Sequence, residues 1–180
     1  MHILLTRPLE DCSEMIIKFQ SLGHRVSHLP LLIIEKINHE EVNFFDYGAI
    51  IFTSANAVKF LNLNTLNKNI MCFCVGDMTE KKARSVGFQN TISAEGNVSN
   101  LKEIILQNYD LKNKPILYVS GEMIAADLDQ QLLNEGYNIK RIINYRVSHN
   151  QKFDENFIKE LKMNMPNIVY VYSQNSASSL

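Results

Sequence analysis

The chain has 180 residues, 46% of them hydrophobic, and a formal net charge of -1 at pH 7. This length and composition are sufficient to bury a core, either as one large domain or as two small ones. The near-neutral charge provides no basic surface that would attract nucleic acid or an anionic membrane, so any anionic ligand has to be held by local groups.

The N-terminal part alternates short apolar runs with amphipathic segments, which is typical of a parallel α/β sheet. Residues 3–6 predict the first strand. Pro8 suits the first turn of a helix that Gly23 ends through a left-handed cap. A second strand is predicted over 25–29, and a further extended segment over 31–37.

The same alternation continues through the rest of the chain. The further strands are predicted over 49–52, 70–75, 116–119, 139–147 and 168–172. The further helices are predicted over 55–61, 79–86, 101–107, a segment that ends at Gly136, and 155–162. Asn100 and Glu103 predict a capping box at the third of these helices.

Two internal similarities indicate a duplicated unit. Residues 50–61 align without gaps on 169–180, and residues 4–30 align on 117–145 in the same order. Chance similarity between any two α/β units is the alternative. If the duplication holds, the second copy lacks the counterpart of residues 75–87, so we expect the chain to be missing its final part.

The cysteine pattern and the lengths of the apolar runs bear on the compartment. Cys12, Cys72 and Cys74 are odd in number and have no metal-type spacing, which argues against a secreted disulfide framework. No stretch approaches the ~18 apolar residues of a membrane span, and the N-terminal run is too short for a signal peptide. We therefore expect a soluble, cytoplasmic protein.

Several classes of enzyme lack their motifs in this sequence. There is no GxGxxG, no GxxxxGK and no GxSxG, and the five histidines show no ligand spacing. The first strand ends in Thr6 and Arg7, where a phospho-receiver domain would have acidic residues. Dinucleotide, Walker-type, metal-dependent and serine-hydrolase chemistry therefore have no support.

Small polar side chains follow the predicted strands, at the end where open α/β sheets bind their ligands. They lie at 6–7, 53–56, 76–79, 120–121 and 173–175. Helix N-termini with hydroxyls beside them can hold carboxylates or phosphates without net positive charge. The alternative is that Thr53, Ser54, Thr79 and Ser173 are merely helix caps.

Tyr145 lies in the extended run 142–147, which we expect to pair with 31–37. From the residues alone, a tyrosine in a strand is more often half-buried packing than a catalytic group.

An ordered set of weak motifs resembles the uroporphyrinogen-III synthase family over the entire chain. These motifs are LLTRP at 4–8, Leu-Gly and Pro-Leu within 22–31, IIFTSANAV at 50–58, CVGDMT at 74–79, the segment 97–101, YVSGE at 118–122, NYRV at 144–147 and YVYSQNSA at 170–177. Their joint order and spacing carry the resemblance, since none is specific alone.

The resemblance implies two flavodoxin-like parallel α/β domains, joined by a two-stranded antiparallel linker, with the substrate in the cleft between them. The inserted second domain would comprise residues 37–144, and the first, discontinuous domain residues 1–36 and 145–180. Family members continue past the Ser173 turn with further strands and helices. We therefore expect an incomplete first domain, with an exposed apolar edge that makes the chain poorly stable or prone to aggregation.

The resemblance also implies a reaction. A cytoplasmic, monomeric lyase would cyclise the linear tetrapyrrole hydroxymethylbilane, with loss of water and inversion of ring D through a spiro intermediate, and with no cofactor, nucleic acid or membrane. Tyr145 matches the family's tyrosine thought to hydrogen-bond the departing hydroxyl. The implied substrate-binding residues are Arg7, Thr53, Ser54, Asn56, Thr79, Ser120, Gly121 and Ser173.

Two other functions stay open from the residues. One is a non-catalytic, two-lobed module that binds an anionic metabolite. The other is a flavodoxin-like domain that binds FMN, which a colourless purified protein would count against.

Overall fold

The structure is a computed structural model of the chain, and it describes residues 1–62, 67–172 and 177. The strands are β1 His2–Leu5, β2 Arg25–His28, β3 Leu32–Lys36, β4 Ala49–Phe52, β5 Met71–Val75, β6 Thr91–Ala94, β7 Ile116–Gly121, β8 Ile139–His149 and β9 Ile168–Tyr170. The helices are α1 Leu9–Ser21, α2 Ala55–Lys59, α3 Asp77–Ser85, α4 Val98–Asn108, α5 Leu128–Asn134 and α6 Glu155–Met163, with a 3-10 helix at Phe44–Asp46.

The chain forms two compact units. One consists of Met1–Ile34 and Val147–Leu180, and the other of Glu35–Arg146. Strands alternate with helices in both, and nearly all strand pairs are parallel. The prediction of an α/β chain with parallel sheets is therefore confirmed.

The unit formed by both ends of the chain contains a three-stranded sheet in the order β2-β1-β9. Both strand pairs are parallel. The central strand β1 is buried along its length, and Ile3 and Leu5 pack on Cys12 of α1. Gly23 ends the turn after α1 at φ 78°, a left-handed conformation that favours glycine, as predicted.

The unit Glu35–Arg146 contains most of a six-stranded sheet in the order β3-β8-β7-β4-β5-β6. Strands β4 and β7 are buried at every position, which explains the continuous apolar runs at 49–52 and 116–119. Ile51, Phe73 and Tyr118 face α4 and α5, where Leu101 and Leu132 complete the core. Full burial of a side chain of this size contributes roughly 1.5–3 kcal/mol to the free energy of unfolding.

The pairing predicted between residues 31–37 and the Tyr145 strand is confirmed, since β3 lies beside β8. The Ile37 N–H donates to the Asn144 carbonyl at 2.9 Å, and the Asn150 N–H donates to the Leu31 carbonyl at 2.8 Å. This register runs antiparallel.

The start of α4 differs from the prediction. The helix begins at Val98, and the Asn97 side chain accepts the Asn100 N–H at 3.1 Å. The predicted capping box of Asn100 and Glu103 is wrong, because Asn97 already satisfies the first turn three residues earlier.

Three other elements differ from the prediction. Strand β6 was not predicted, because Thr91–Ala94 mixes polar and apolar residues and only Ala94 is fully buried. Helix α3 begins at Asp77 with Gly76 as its N-cap, at φ 77°. Thr79 therefore lies within the first turn and is not a cap. Strand β9 ends at Tyr170, two residues earlier than predicted. None of the described helices is both long and apolar enough to cross a membrane.

Candidate active site

The carboxyl ends of β4 and β7 place Thr53 beside Tyr118. Strands β4 and β7 are parallel neighbours, with Phe52 opposite Val119. The hydroxyl oxygens of Thr53 and Tyr118 are 3.2 Å apart, within hydrogen-bond distance. Burial raises the pKa of Tyr118, so this hydroxyl keeps its proton over the whole physiological range.

Ser54 and Asn56 follow directly, in the turn that opens α2. The Ser54 hydroxyl accepts the Asn56 N–H at 3.2 Å and caps the helix, so the capping alternative holds for this residue. Thr53, Ser54 and Asn56 are all half-buried. The turn therefore presents hydroxyl and amide groups that retain part of their contact with solvent.

Thr79 and Gly76 follow β5, which neighbours β4 in the sheet. Gly76 donates its N–H to the Ala94 carbonyl at 3.0 Å. Thr79 is buried, with 5% of its surface exposed, in the first turn of α3. The turns after β4 and β5 thus open at the same edge of the sheet.

Tyr145 lies in β8, opposite Gly121 across a register shift at the end of β7. Its ring stacks on Phe60, with centroids 6.5 Å apart. A Cβ placed on Gly121 would come within 2.6 Å of the Tyr145 ring carbon that bears the hydroxyl. Position 121 therefore has to be glycine for the Tyr145 ring to lie where it does. Tyr145 itself is buried, with 8% of its surface exposed.

The Tyr145 hydroxyl has no hydrogen-bond partner among the described residues. The main chain of Tyr145 is fixed, however, because its carbonyl accepts the Glu122 N–H at 2.9 Å. The ring is held between Phe60 and Gly121 while its hydroxyl stays available as a donor.

Asn144, the preceding residue, is fully buried. Its side-chain nitrogen donates to the Ala57 carbonyl in α2 at 2.7 Å, while its side-chain oxygen has no partner among the described residues. The strand that carries Tyr145 is therefore joined to the helix that follows Thr53.

Ser120 and Gly121 are both buried at the end of β7. The Ser120 hydroxyl accepts a hydrogen bond from Arg141 Nε at 2.8 Å and donates to the Gly121 carbonyl at 3.0 Å. Neither residue presents an open side chain, so both contribute to the shape of the site.

Arg7 belongs to the other unit, Met1–Ile34 with Val147–Leu180. Its guanidinium lies 4.8 Å from the centre of the Tyr172 ring and 3.9 Å from the Asp11 carboxylate. Arg7 is exposed. The predicted site residue Ser173 lies outside the described residues.

The residues that support Tyr145 were not identified from the sequence. These are Arg141, Phe60, and Asn144, which joins β8 to α2. A sequence signal existed only for Asn144, which belongs to the NYRV motif at 144–147. The contact of Phe60 with Tyr145 depends on tertiary packing, which periodicity does not encode.

A cavity of about 260 Å³ lies beside Phe60, lined also by Lys36, His39 and Phe44. No group of three or more metal-binding side chains occurs in the described part of the chain. The site as described offers uncharged hydroxyl and amide donors, which can bind carboxylates and donate to a departing hydroxyl.

Comparison with known proteins identifies related sequences and folds. A family model described as uroporphyrinogen-III synthase HemD matches residues 13–180. The fold is similar to the crystal structure of uroporphyrinogen-III synthetase from Helicobacter pylori 26695, with a TM-score of 0.63, 21% identity, and coverage of 99% of this chain and 76% of that chain. It is also similar to a mutant uroporphyrinogen III synthase from the extremely thermophilic bacterium Thermus thermophilus, with a TM-score of 0.62, 12% identity, and coverage of 100% and 75%. No curated protein matches the sequence significantly.

Proposed function

The chain belongs to the uroporphyrinogen-III synthase family, lyases that cyclise hydroxymethylbilane to uroporphyrinogen III, and we propose that Tyr145 assists the loss of the hydroxyl in this reaction. The observation that carries the proposal is a buried tyrosine whose ring is fixed on two sides and whose hydroxyl has no partner among the described residues.

The reaction requires a hydroxyl group of this kind. The substrate hydroxyl departs as water, so its oxygen has to gain a proton, and a hydrogen bond donated to that oxygen in the transition state assists this step. A positioned hydroxyl can supply that interaction, and its efficiency depends on alignment with the departing oxygen. Contacts with Phe60 and Gly121 restrict the Tyr145 ring before substrate arrives, which lowers the entropic cost of alignment.

We propose that the polar groups at the strand ends bind the acetate and propionate side chains of the substrate. Thr53, Ser54 and Asn56 support this by their partial exposure, and Thr79 by its place in the first turn of α3. A near-neutral chain can bind a polyanion in this way because hydroxyl groups and helix N-termini stabilise the negative charge of the substrate locally.

The remaining predicted residues enter the proposal differently. Ser120 and Gly121 are buried and would act through the shape of the turn after β7. Arg7 is an exposed cation that could meet a carboxylate, and Ser173 keeps its proposed binding role from the sequence motif.

We propose flavodoxin-like domains over residues 37–144 and over 1–36 with 145–180. The two compact units, Glu35–Arg146 and Met1–Ile34 with Val147–Leu180, support boundaries near these positions. The alternating strands and helices of each unit support the type of fold.

We also propose that the protein acts as a monomer in the cytoplasm, without nucleic acid or membrane. Cys12, Cys72 and Cys74 are free, buried thiols, which suits a reducing compartment. The formal charge of -1 gives no general attraction to anionic surfaces.

The test of the Tyr145 proposal is steady-state kinetics on freshly generated hydroxymethylbilane. Tyr145→Phe removes the hydroxyl and keeps the ring, so we expect kcat to fall by roughly 100-fold with KM within about twofold, as for loss of an acid-base group. The matched control is Tyr137→Phe, which removes a hydroxyl that bonds the Tyr109 carbonyl. A Tyr145→Phe variant with the wild-type kcat would rule out the proposed role.

A further inference from the structure

Arg141 precedes Tyr145 on β8, and its guanidinium is turned toward the end of β7. We propose that Arg141 is a positioning residue for Tyr145, acting through the main chain of residues 120–122. This inference rests on the role proposed above for Tyr145.

The contacts of Arg141 converge on a single short segment. Its Nε donates to the Ser120 hydroxyl at 2.8 Å, and its Nη2 donates to the carbonyls of Gly121 and Glu122 at 3.0 and 3.2 Å. Strand β7 ends at Gly121, so these carbonyls lie at the end of the strand, next to the register shift between Ser120 and Gly121. The planar guanidinium thus fixes this main chain in addition to its pairing with β8.

The same segment sets the position of Tyr145. The Glu122 N–H donates to the Tyr145 carbonyl at 2.9 Å. Gly121 faces the Tyr145 ring so closely that a Cβ there would lie 2.6 Å from the ring and 2.9 Å from the hydroxyl oxygen. A shift of Gly121 by a fraction of an ångström therefore moves or releases the hydroxyl.

The surroundings of Arg141 support a role in fixing the main chain. Its side chain is half-buried and lies 5.9 Å from the centre of the Tyr118 ring. No carboxylate of the described residues forms an ion pair with it. Its donors are directed instead at three uncharged oxygens, all within residues 120–122.

Arg141→Lys tests the inference, because an ammonium keeps the charge but cannot reach the three oxygens with one planar fork. We expect kcat to fall about tenfold with KM within about twofold, since misalignment affects the transition state and leaves substrate binding intact. Arg146→Lys is the matched control, because Arg146 lies on the same strand, is exposed, and contacts Glu35 at 3.5 Å. It should keep the wild-type kcat.

The decisive comparison is a double-mutant cycle with Tyr145→Phe. If Arg141 acts through the Tyr145 hydroxyl, Arg141→Lys has no further effect on kcat once that hydroxyl is absent. An equal tenfold loss in both backgrounds overturns the inference while leaving the Tyr145 role intact. A raised KM with unchanged kcat also overturns it, because Arg141 would then bind substrate directly. Wild-type kcat in Tyr145→Phe alone overturns both proposals.

A second variant covers the case in which Arg141→Lys does not fold. Ser120→Ala removes one of the three oxygens that Arg141 contacts and changes little volume. We expect a two- to threefold fall in kcat in the wild-type background and none in the Tyr145→Phe background. An equal fall in both backgrounds contradicts the inference.

Discussion

At the residue scale, Thr53 joins the end of β4 to Tyr118 through a contact of 3.2 Å between hydroxyl oxygens. Thr53→Val keeps the shape and removes the hydroxyl, so Tyr118 loses its partner and the proposed substrate contact is lost. We expect KM to rise roughly fivefold, corresponding to about 1 kcal/mol for one hydrogen bond. Thr53→Ser, which keeps the hydroxyl, should retain a KM close to that of wild type. Equal KM values for Thr53→Val and wild type in steady-state assays would exclude Thr53 from binding.

The sequence could identify residues of this kind only by position along the chain. Thr53 and Ser54 follow an apolar strand, which was enough to predict them at the ligand edge. The contacts that fix Tyr145 could not be predicted, because Gly121 and Phe60 lie 24 and 85 residues away in sequence and meet it only after folding.

At the element scale, α3 is joined to β6 through Glu80. Its carboxylate accepts hydrogen bonds from the Thr91 hydroxyl at 2.7 Å and from Arg84 at 2.8 Å. The Thr91 hydrogen bond, and then Arg84, hold the pKa of Glu80 below its ordinary range. Because the folded-state pKa is depressed, this stabilisation is present above the unfolded pKa of about 4.3 and is lost as the pH falls through the folded pKa.

Glu80→Gln should therefore lower the free energy of unfolding by about 1 kcal/mol at pH 7 and by less below about pH 4. Urea unfolding of both proteins at several pH values measures this difference. Glu103→Gln on α4 is the control, since this residue proved not to form the predicted capping box. A difference between Glu80→Gln and wild type that stays constant from pH 7 to pH 3 would contradict the account.

Elements were predicted best where the apolar runs are long and continuous. Strands β4 and β5 lie within one residue of their predicted bounds, because burial of all of β4 and of the middle of β5 leaves unbroken apolar sequences. Strand β6 carries no such signal, since Thr91 and Ser93 interrupt it and only pairing with β5 makes it a strand. The start of α4 was misplaced because two asparagines, Asn97 and Asn100, both suit a cap.

At the scale of the whole molecule, the two strands that flank β1 in one unit are less deeply buried than the two central strands of the other unit. Strands β4 and β7 are buried at every residue, whereas β2 and β9 contain no buried residue. Amide protection follows burial and hydrogen bonding within each cooperative unit. Hydrogen exchange followed by mass spectrometry should therefore show faster exchange in peptides of β2 and β9 than in those of β4 and β7. Equal protection of all four strands would contradict this interpretation.

The measurement that tests the central claim most directly is the isomer composition of the product. Hydroxymethylbilane, freshly generated, is incubated with the purified chain, and the oxidised uroporphyrins are separated into types I and III. Uncatalysed closure gives type I, so excess type III requires ring inversion on the protein. We predict mostly type III for the wild-type chain and for Tyr137→Phe, with a sharp loss of type III for Tyr145→Phe. Type I alone from the wild-type chain, at the rate seen without protein, would contradict the account.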